Sequence, residues 1–216
     1  MQNLHLVAIL LLAFASNLDN VGVGVSYGMR KINIPFTSNL LIAVVTSIGT
    51  LLSVLLGKSI YLFISAEMTG LLGGGIIIVA GIWVLFQEKF MHRGQEPQEE
   101  TPMVAETGSP GFSFRQIVSI LDNPINADKD FSGHIDLKEA VALSLGLTIN
   151  NIPNGVGAGM VGGGAILMTS AVFVFSIVTI WIGISGGLLG FKWLGKLTGL
   201  IAGLILIGVG LYEIFF

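Results

Sequence analysis

Residues 17–29, NLDNVGVGVSYGM, and residues 148–160, TINNIPNGVGAGM, are two copies of one pattern. Laid end to end, Leu18 faces Ile149, Asp19 faces Asn150, Asn20 faces Asn151, Gly24-Val25 face Gly155-Val156, and Gly28-Met29 face Gly159-Met160. An acid in one copy is an amide in the other. The duplication extends further: Thr69-Gly70-Leu71 returns as Thr198-Gly199-Leu200, then Gly74 as Gly203, Ile76 as Ile205, Ile78 as Ile207 and Gly81 as Gly210. The offset is 131 residues from Asp19 to Asn150 and 129 from Thr69 to Thr198, so three segments repeat as a unit.

Composition says what those segments are. Of 216 residues, 53% are hydrophobic and 11% charged, and mean hydropathy is +0.86. Soluble domains carry about 25% charged residues, so this is an integral membrane protein. Cysteine is absent, which excludes disulfides and thiolate metal sites. A formal net charge of −3 gives no reason to expect nucleic acid as a partner. Thirty glycines in so apolar a chain point to close helix packing through small residues, because lipid gives helices no hydrophobic reason to associate.

A span needs about 20 mostly apolar residues, and six stretches qualify: 4–29, 37–57, 67–87, 138–161, 164–190 and 194–215. The first resembles a signal peptide, with Ala13-Phe14-Ala15 as a cleavage site, but no Lys or Arg precedes it and its second copy lies mid-chain. It is expected to stay as a transmembrane helix. Three spans per repeat is an odd number, so the halves insert with opposite orientation. The expected fold is an all-α membrane protein of six transmembrane helices in two inverted three-helix repeats, 1–87 and 138–216. Between them, 88–137 forms a polar loop whose acidic, Pro/Gly-rich run 95–111 reads as flexible, with a short helix over Phe114–Leu121. Lys and Arg cluster after span one, between three and four, and between five and six, leaving only Lys58 on the other side. Both termini are therefore expected outside and the long loop in the cytoplasm.

Inverted halves of this kind are characteristic of secondary transporters, whose sites lie near the midplane on interrupted helices. Gly22 is expected to loosen span one just after Asp19, and Pro153 to free the carbonyl of Ile149. A carboxylate at the centre of a spanning helix costs at least about 2.5–3.5 kcal/mol on insertion scales. No Lys, Arg or His lies at its depth, so a cation or a proton would neutralise it. Asn17 and Asn20 in span one, and Thr148, Asn150, Asn151 and Asn154 in span four, offer oxygens around a cation pathway. An all-oxygen set with one charge suits Mn²⁺, Mg²⁺ or Ca²⁺ better than zinc or copper. The plainer reading is a protonated Asp19 hydrogen-bonded to an asparagine as interhelical glue.

A second constellation lies in the loop. Asp128, Asp130, Ser132, the carbonyl of His134, Asp136 and Glu139 occupy positions 1, 3, 5, 7, 9 and 12 of an EF-hand calcium loop, 128–139, with Gly133 at its turn position 6. The plainer reading is a solvated acidic turn capping span four without a metal. If an ion does bind there, Ca²⁺ at Glu139 would fix the end of the helix carrying Asn150. No His–carboxylate pair with catalytic spacing appears, and no enzyme chemistry is implied.

With these motifs the chain resembles the MntP-type manganese efflux family, and more closely its YtaF-type sporulation membrane relatives. The family's Ser-x-Asp-Ala-like repeat motif stands here as Asn17-Leu18-Asp19-Asn20 and Thr148-Ile149-Asn150-Asn151, and residues 127–140 look like the YtaF-type loop. The resemblance covers nearly the whole chain. It implies a multi-pass inner-membrane protein of a spore-forming bacterium, with Asp19 as the first-repeat acid and Mn²⁺ or another divalent cation as transported ion. The second-repeat acid is absent, so a divalent ion at Asp19 and Asn150 keeps more uncompensated charge than in the efflux pumps. Two functions follow: a divalent-cation exporter, or a non-transporting sporulation protein that binds calcium or a partner through its loop. No protein partner is identified by the sequence.

Overall fold

The computed structural model describes residues 2–91, 119–120 and 124–215. These form α1 (Gln2–Ala15), α2 (Leu18–Met29), α3 (Phe36–Tyr61), α4 (Ala66–Met91), a 3-10 turn (Pro124–Ala127), α5 (Leu137–Met160), α6 (Ala165–Leu188) and α7 (Lys192–Phe215). The acidic run 95–111 lies outside the described residues, as does the helix expected over 114–121 apart from Ser119 and Ile120, which are helical. Among the described residues the only ladder-type pairing is one isolated parallel bridge, Asn33 with His134. The chain is an all-helical, multi-pass membrane protein.

Among the described residues five stretches are long and apolar enough to cross a bilayer: Leu6–Met29, Phe36–Tyr61, Met68–Gln87, Ala165–Leu188 and Trp193–Phe215. The 24-residue α5 is also long enough, since a helix rises about 1.5 Å per residue, but Thr148, Asn150, Asn151, Pro153 and Asn154 dilute its apolarity. It packs on α3 and α4. Side chains such as Leu52, Leu71, Ile166 and Trp181 point away from the bundle and are exposed, as apolar lipid-facing positions should be.

The first span differs from expectation. It is broken at Ser16 and Asn17, on the N-terminal side of Asp19, and runs unbroken through Gly22. The cause is local. Asn17 Nδ2 donates to the Ala13 carbonyl at 2.8 Å, and the Asn17 N–H turns to the Phe14 carbonyl at 3.0 Å. A side-chain amide competing for backbone acceptors is what makes asparagine a poor helix interior. Nor is the break paired: α5 continues through Pro153, which lies on the exposed side of the helix while Asn151 and Asn154 lie on the buried side.

Helices meet mainly across the two halves of the chain. α2 packs on α6 and α7, α5 on α3 and α4, α4 on α7, and α3 on α6. The crossings are backbone to backbone. A methyl at Gly28 would fall 2.2 Å from the Ile184 carbonyl oxygen, and one at Gly159 would fall 2.1 Å from that of Val54. In the α4–α7 crossing a methyl at Gly74 would meet the Gly210 carbonyl at 2.6 Å, and one at Gly81 the Gly203 carbonyl at 2.8 Å. Such contacts let van der Waals attraction and lipid release hold a bundle that has no hydrophobic effect between its helices.

Gly28→Ala and Gly159→Ala should each lower the melting temperature of the detergent-purified protein, by the equivalent of about 1–3 kcal/mol typical of overpacking. Gly75→Ala, where nothing lies within 4 Å of the added methyl, should be neutral or slightly stabilising; equal melting of all three would contradict this packing.

Candidate functional site

Asp19 lies in the first turn of α2, immediately after the break, and is half-buried. Its two oxygens are held by amides. Oδ1 accepts the Asn20 backbone N–H at 2.8 Å, and Oδ2 accepts Asn150 Nδ2 from α5 at 2.6 Å. The two residues aligned by the sequence repeat therefore touch. A carboxylate that stays ionised needs donors aimed at both oxygens, and the break at Asn17 supplies one of them by placing Asp19 at a helix N-terminus, where a negative charge is favoured.

The hydrogen bonding continues from there. Asn20, fully buried, donates through Nδ2 to Asn17 Oδ1 at 3.1 Å and lies 3.5 Å from Ser176 Oγ of α6. So Asn150, Asp19, Asn20 and Asn17 form one connected chain with Ser176 at its edge. Ser176 is the residue that sequence reading missed; a serine in an apolar span, at Phe175-Ser176-Ile177, carries no spacing signal. Asn39 on α3 was missed likewise: its Nδ2 donates to the Ile177 carbonyl at 3.2 Å while its Oδ1 has no partner among the described groups.

The remaining expected residues divide. Thr148 gives its hydroxyl to the Ser144 carbonyl at 2.7 Å and packs its methyl where a side chain at Gly49 would otherwise stand, so it serves packing. Asn151 and Asn154 are buried on α5, and Asn151 Oδ1 and Nδ2, Asn154 Oδ1 and Asn20 Oδ1 find no partner among the described residues. Buried polar atoms normally have partners. Unengaged carbonyl oxygens are ligands of the kind that a hard, dehydrated cation takes.

The acidic loop is the second cluster. Carboxylate oxygens of Asp128, Asp130 and Glu139 lie within 4.8 Å of one another, a spread that a cation with ligands at about 2.3–2.6 Å can span. Asp128 collects the Ser132 and Gly133 N–H groups at 3.1 and 3.2 Å, and Gly133 takes φ +74°, the left-handed turn position. Hydrogen bonds from Ser132, its side chain foremost, hold Asp130 below the usual carboxylate range, so it is ionised at neutral pH. Ser132 Oγ also lies 3.0 Å from the His134 carbonyl oxygen. Asp136 stands apart from the three-carboxylate cluster: its Oδ1 caps the Glu139 N–H at 2.7 Å, while Glu139 Oε2 accepts the Asp136 N–H at 3.1 Å, a reciprocal capping box at the start of α5.

The loop is fastened to the bundle by the segment after α2. The Asn33 N–H donates to the Gly133 carbonyl at 2.8 Å and the Ile135 N–H to the Asn33 carbonyl at 3.0 Å. Ser38 Oγ donates to the Ile135 carbonyl at 2.8 Å, and Tyr27 Oη donates to the Pro124 carbonyl. Ile135 itself is fully buried in a core with Tyr27, Ile34, Ile42 and Leu143.

Residues 1–85 match the family model described as "Putative manganese efflux pump". The "Probable sporulation protein YtaF" of Bacillus subtilis (strain 168) is 37% identical over 217 residues, a match covering 98% of this chain and all of that protein. No solved structure matches.

Asp136→Ala should cost about 0.5–2 kcal/mol through loss of the cap. Hydrogen–deuterium exchange should show the loss as faster exchange at Leu137–Ala140; unchanged protection there would refute the capping assignment.

Proposed function

We propose a transport function for a chain that belongs to the family of the probable sporulation protein YtaF: it carries a divalent cation, Mn²⁺ by its kinship with the manganese efflux pumps, across the bilayer. The observation that carries this reading is the Asp19–Asn150 contact, a carboxylate between lipid-spanning helices held by amides, on helices that also carry buried asparagine oxygens without partners among the described residues. A polar cluster so costly in a membrane calls for a ligand rather than for packing. Asp19 is the charged ligand; Asn20, Asn150, Asn151 and Asn154 supply neutral oxygens.

The cation site lies between two inverted three-helix repeats, α1–α4 and α5–α7. Two sets of contacts and one pair of turns support that symmetry. Gly28 meets α6 at Ile184 as its counterpart Gly159 meets α3 at Val54, and Ile184 and Val54 are themselves 130 residues apart. Gly74 and Gly203 are counterparts, as are Gly81 and Gly210, so the Gly74–Gly210 and Gly81–Gly203 contacts are one contact seen from each repeat. After the opening helices, Lys31 turns at φ +59° where its counterpart Gly162 turns at +81°. Residues that touch their own counterparts, as Asp19 touches Asn150, sit on the axis relating the halves, which is where inverted-repeat transporters bind their substrates. The Arg30–Pro35 linker and the acidic loop share one side, and the basic residues Arg30, Lys31, Lys129 and Lys138 make that side cytoplasmic.

The loop takes a resident cation, Ca²⁺ by the hard-oxygen chemistry of Asp128, Asp130 and Glu139. Bound there it would offset two of the three carboxylate charges and tie the entry of α5 to the linker after α2.

In proteoliposomes the wild type should move Mn²⁺, and Asp19→Asn should reduce flux at least tenfold while leaving the protein folded, because an amide oxygen still accepts from Asn150. Flux from neither protein would favour a non-transporting sporulation role. For the loop, Ca²⁺ should slow hydrogen exchange over residues 128–139 in the full chain, an effect that Asp128→Asn with Glu139→Gln should abolish; equal protection in both proteins would remove the loop site.

A further inference from the structure

We infer that Asn150 sets the cation affinity of the transport site, acting by turns as counter-group and as ligand: its N–H group holds the Asp19 carboxylate when the site is empty, and its oxygen turns to the cation when the site is loaded. The inference rests on the transport reading above and assigns the exchange that reading needs.

The geometry leads there directly. Asp19 Oδ2 is engaged by Asn150 Nδ2 at 2.6 Å, and Oδ1 by the Asn20 N–H at 2.8 Å, so the charged ligand is occupied by donors. The neutral oxygens are not: Asn20 Oδ1, Asn151 Oδ1 and Asn154 Oδ1 are buried without partners among the described residues. A cation ligated by Asp19 must displace the one donor able to leave, because the Asn20 N–H is fixed in the backbone of α2. A carboxamide carries two donors and an acceptor on one plane, so a half-turn about its last torsion exchanges Nδ2 for Oδ1 without moving α5. The same side chain then adds a ligand where it withdrew a donor.

Its identity also sets the charge of the site. An acid at position 150 would place two carboxylates at hydrogen-bonding distance, and two such groups resist ionising together. The amide avoids that repulsion in the empty state but gives the loaded site one negative charge instead of two. This chain therefore holds a divalent ion weakly and releases it readily, with the empty site closed by its own amide.

The test uses the full chain in detergent, with Asp128→Asn and Glu139→Gln included to silence the loop, and Mn²⁺ alone as probe. Asn150→Asp should bind Mn²⁺ at least tenfold more tightly than that background and show a larger Mn²⁺-dependent rise in melting temperature, because its empty form has lost the internal donor. Asn150→Leu, able neither to donate nor to ligate, should bind at least tenfold more weakly. Equal Mn²⁺ affinity in the background and in Asn150→Asp, with Mn²⁺ flux intact in the wild type, would overturn the inference and leave the transport reading standing. Absence of both Mn²⁺ binding and Mn²⁺ flux in the wild type would overturn the two together.

Discussion

A carboxylate inside a lipid-spanning helix has to be compensated where it stands, and in this protein Asn150 meets that need from across the bundle at 2.6 Å. Much of the surrounding architecture can be understood from that constraint. The break at Ser16–Asn17 sets Asp19 at a helix start, where a backbone N–H is free to turn toward it. The approach of α2 and α5 to the same point requires α3 and α6 to be close on either side, and glycines at 24, 28, 155 and 159 allow that closeness.

The packing and the chemistry are thus two uses of the same repeated stretch. Its glycines carry no side chain to hold the helices apart, and its polar residues have no water to turn to. Where a hydroxyl in this bundle needs a partner it commonly takes the carbonyl one turn back: Thr46, Ser47, Thr50 and Ser53 do this in succession along α3. The buried asparagines have more polar atoms than one backbone carbonyl can satisfy, which is why the unpartnered atoms concentrate among them.

The helical fold was legible in the sequence because apolar length and the repeat of Asp19-Asn20 as Asn150-Asn151 are strong, local signals. The Asp19–Asn150 contact was implied by the same alignment. What the sequence did not reveal was where span one would break. Gly22 looked like the weak point, yet a glycine only lowers helix preference, whereas Asn17 captures a backbone acceptor outright. Pro153 misled in a similar way, since one missing N–H on the outer side of α5 leaves the helix continuous. Ser176 and Asn39 were illegible because their roles depend on which helix faces which, a matter of tertiary packing that no spacing within α3 or α6 records. In the loop the carboxylate cluster was readable from spacing, but its anchorage to Asn33, about a hundred residues earlier, was not.

That most helix contacts cross between the two halves has a consequence for synthesis. α1 to α4 make few contacts with one another, and their partners are α5, α6 and α7. When the ribosome has delivered the first four helices, their glycine faces and the carboxylate of Asp19 still lack the surfaces that will cover them. Folding must therefore wait for nearly the whole chain, in contrast to proteins whose domains complete themselves in order of emergence. Until then the early helices remain individually inserted and open to any other small-residue face in the bilayer, including those of a neighbouring nascent copy.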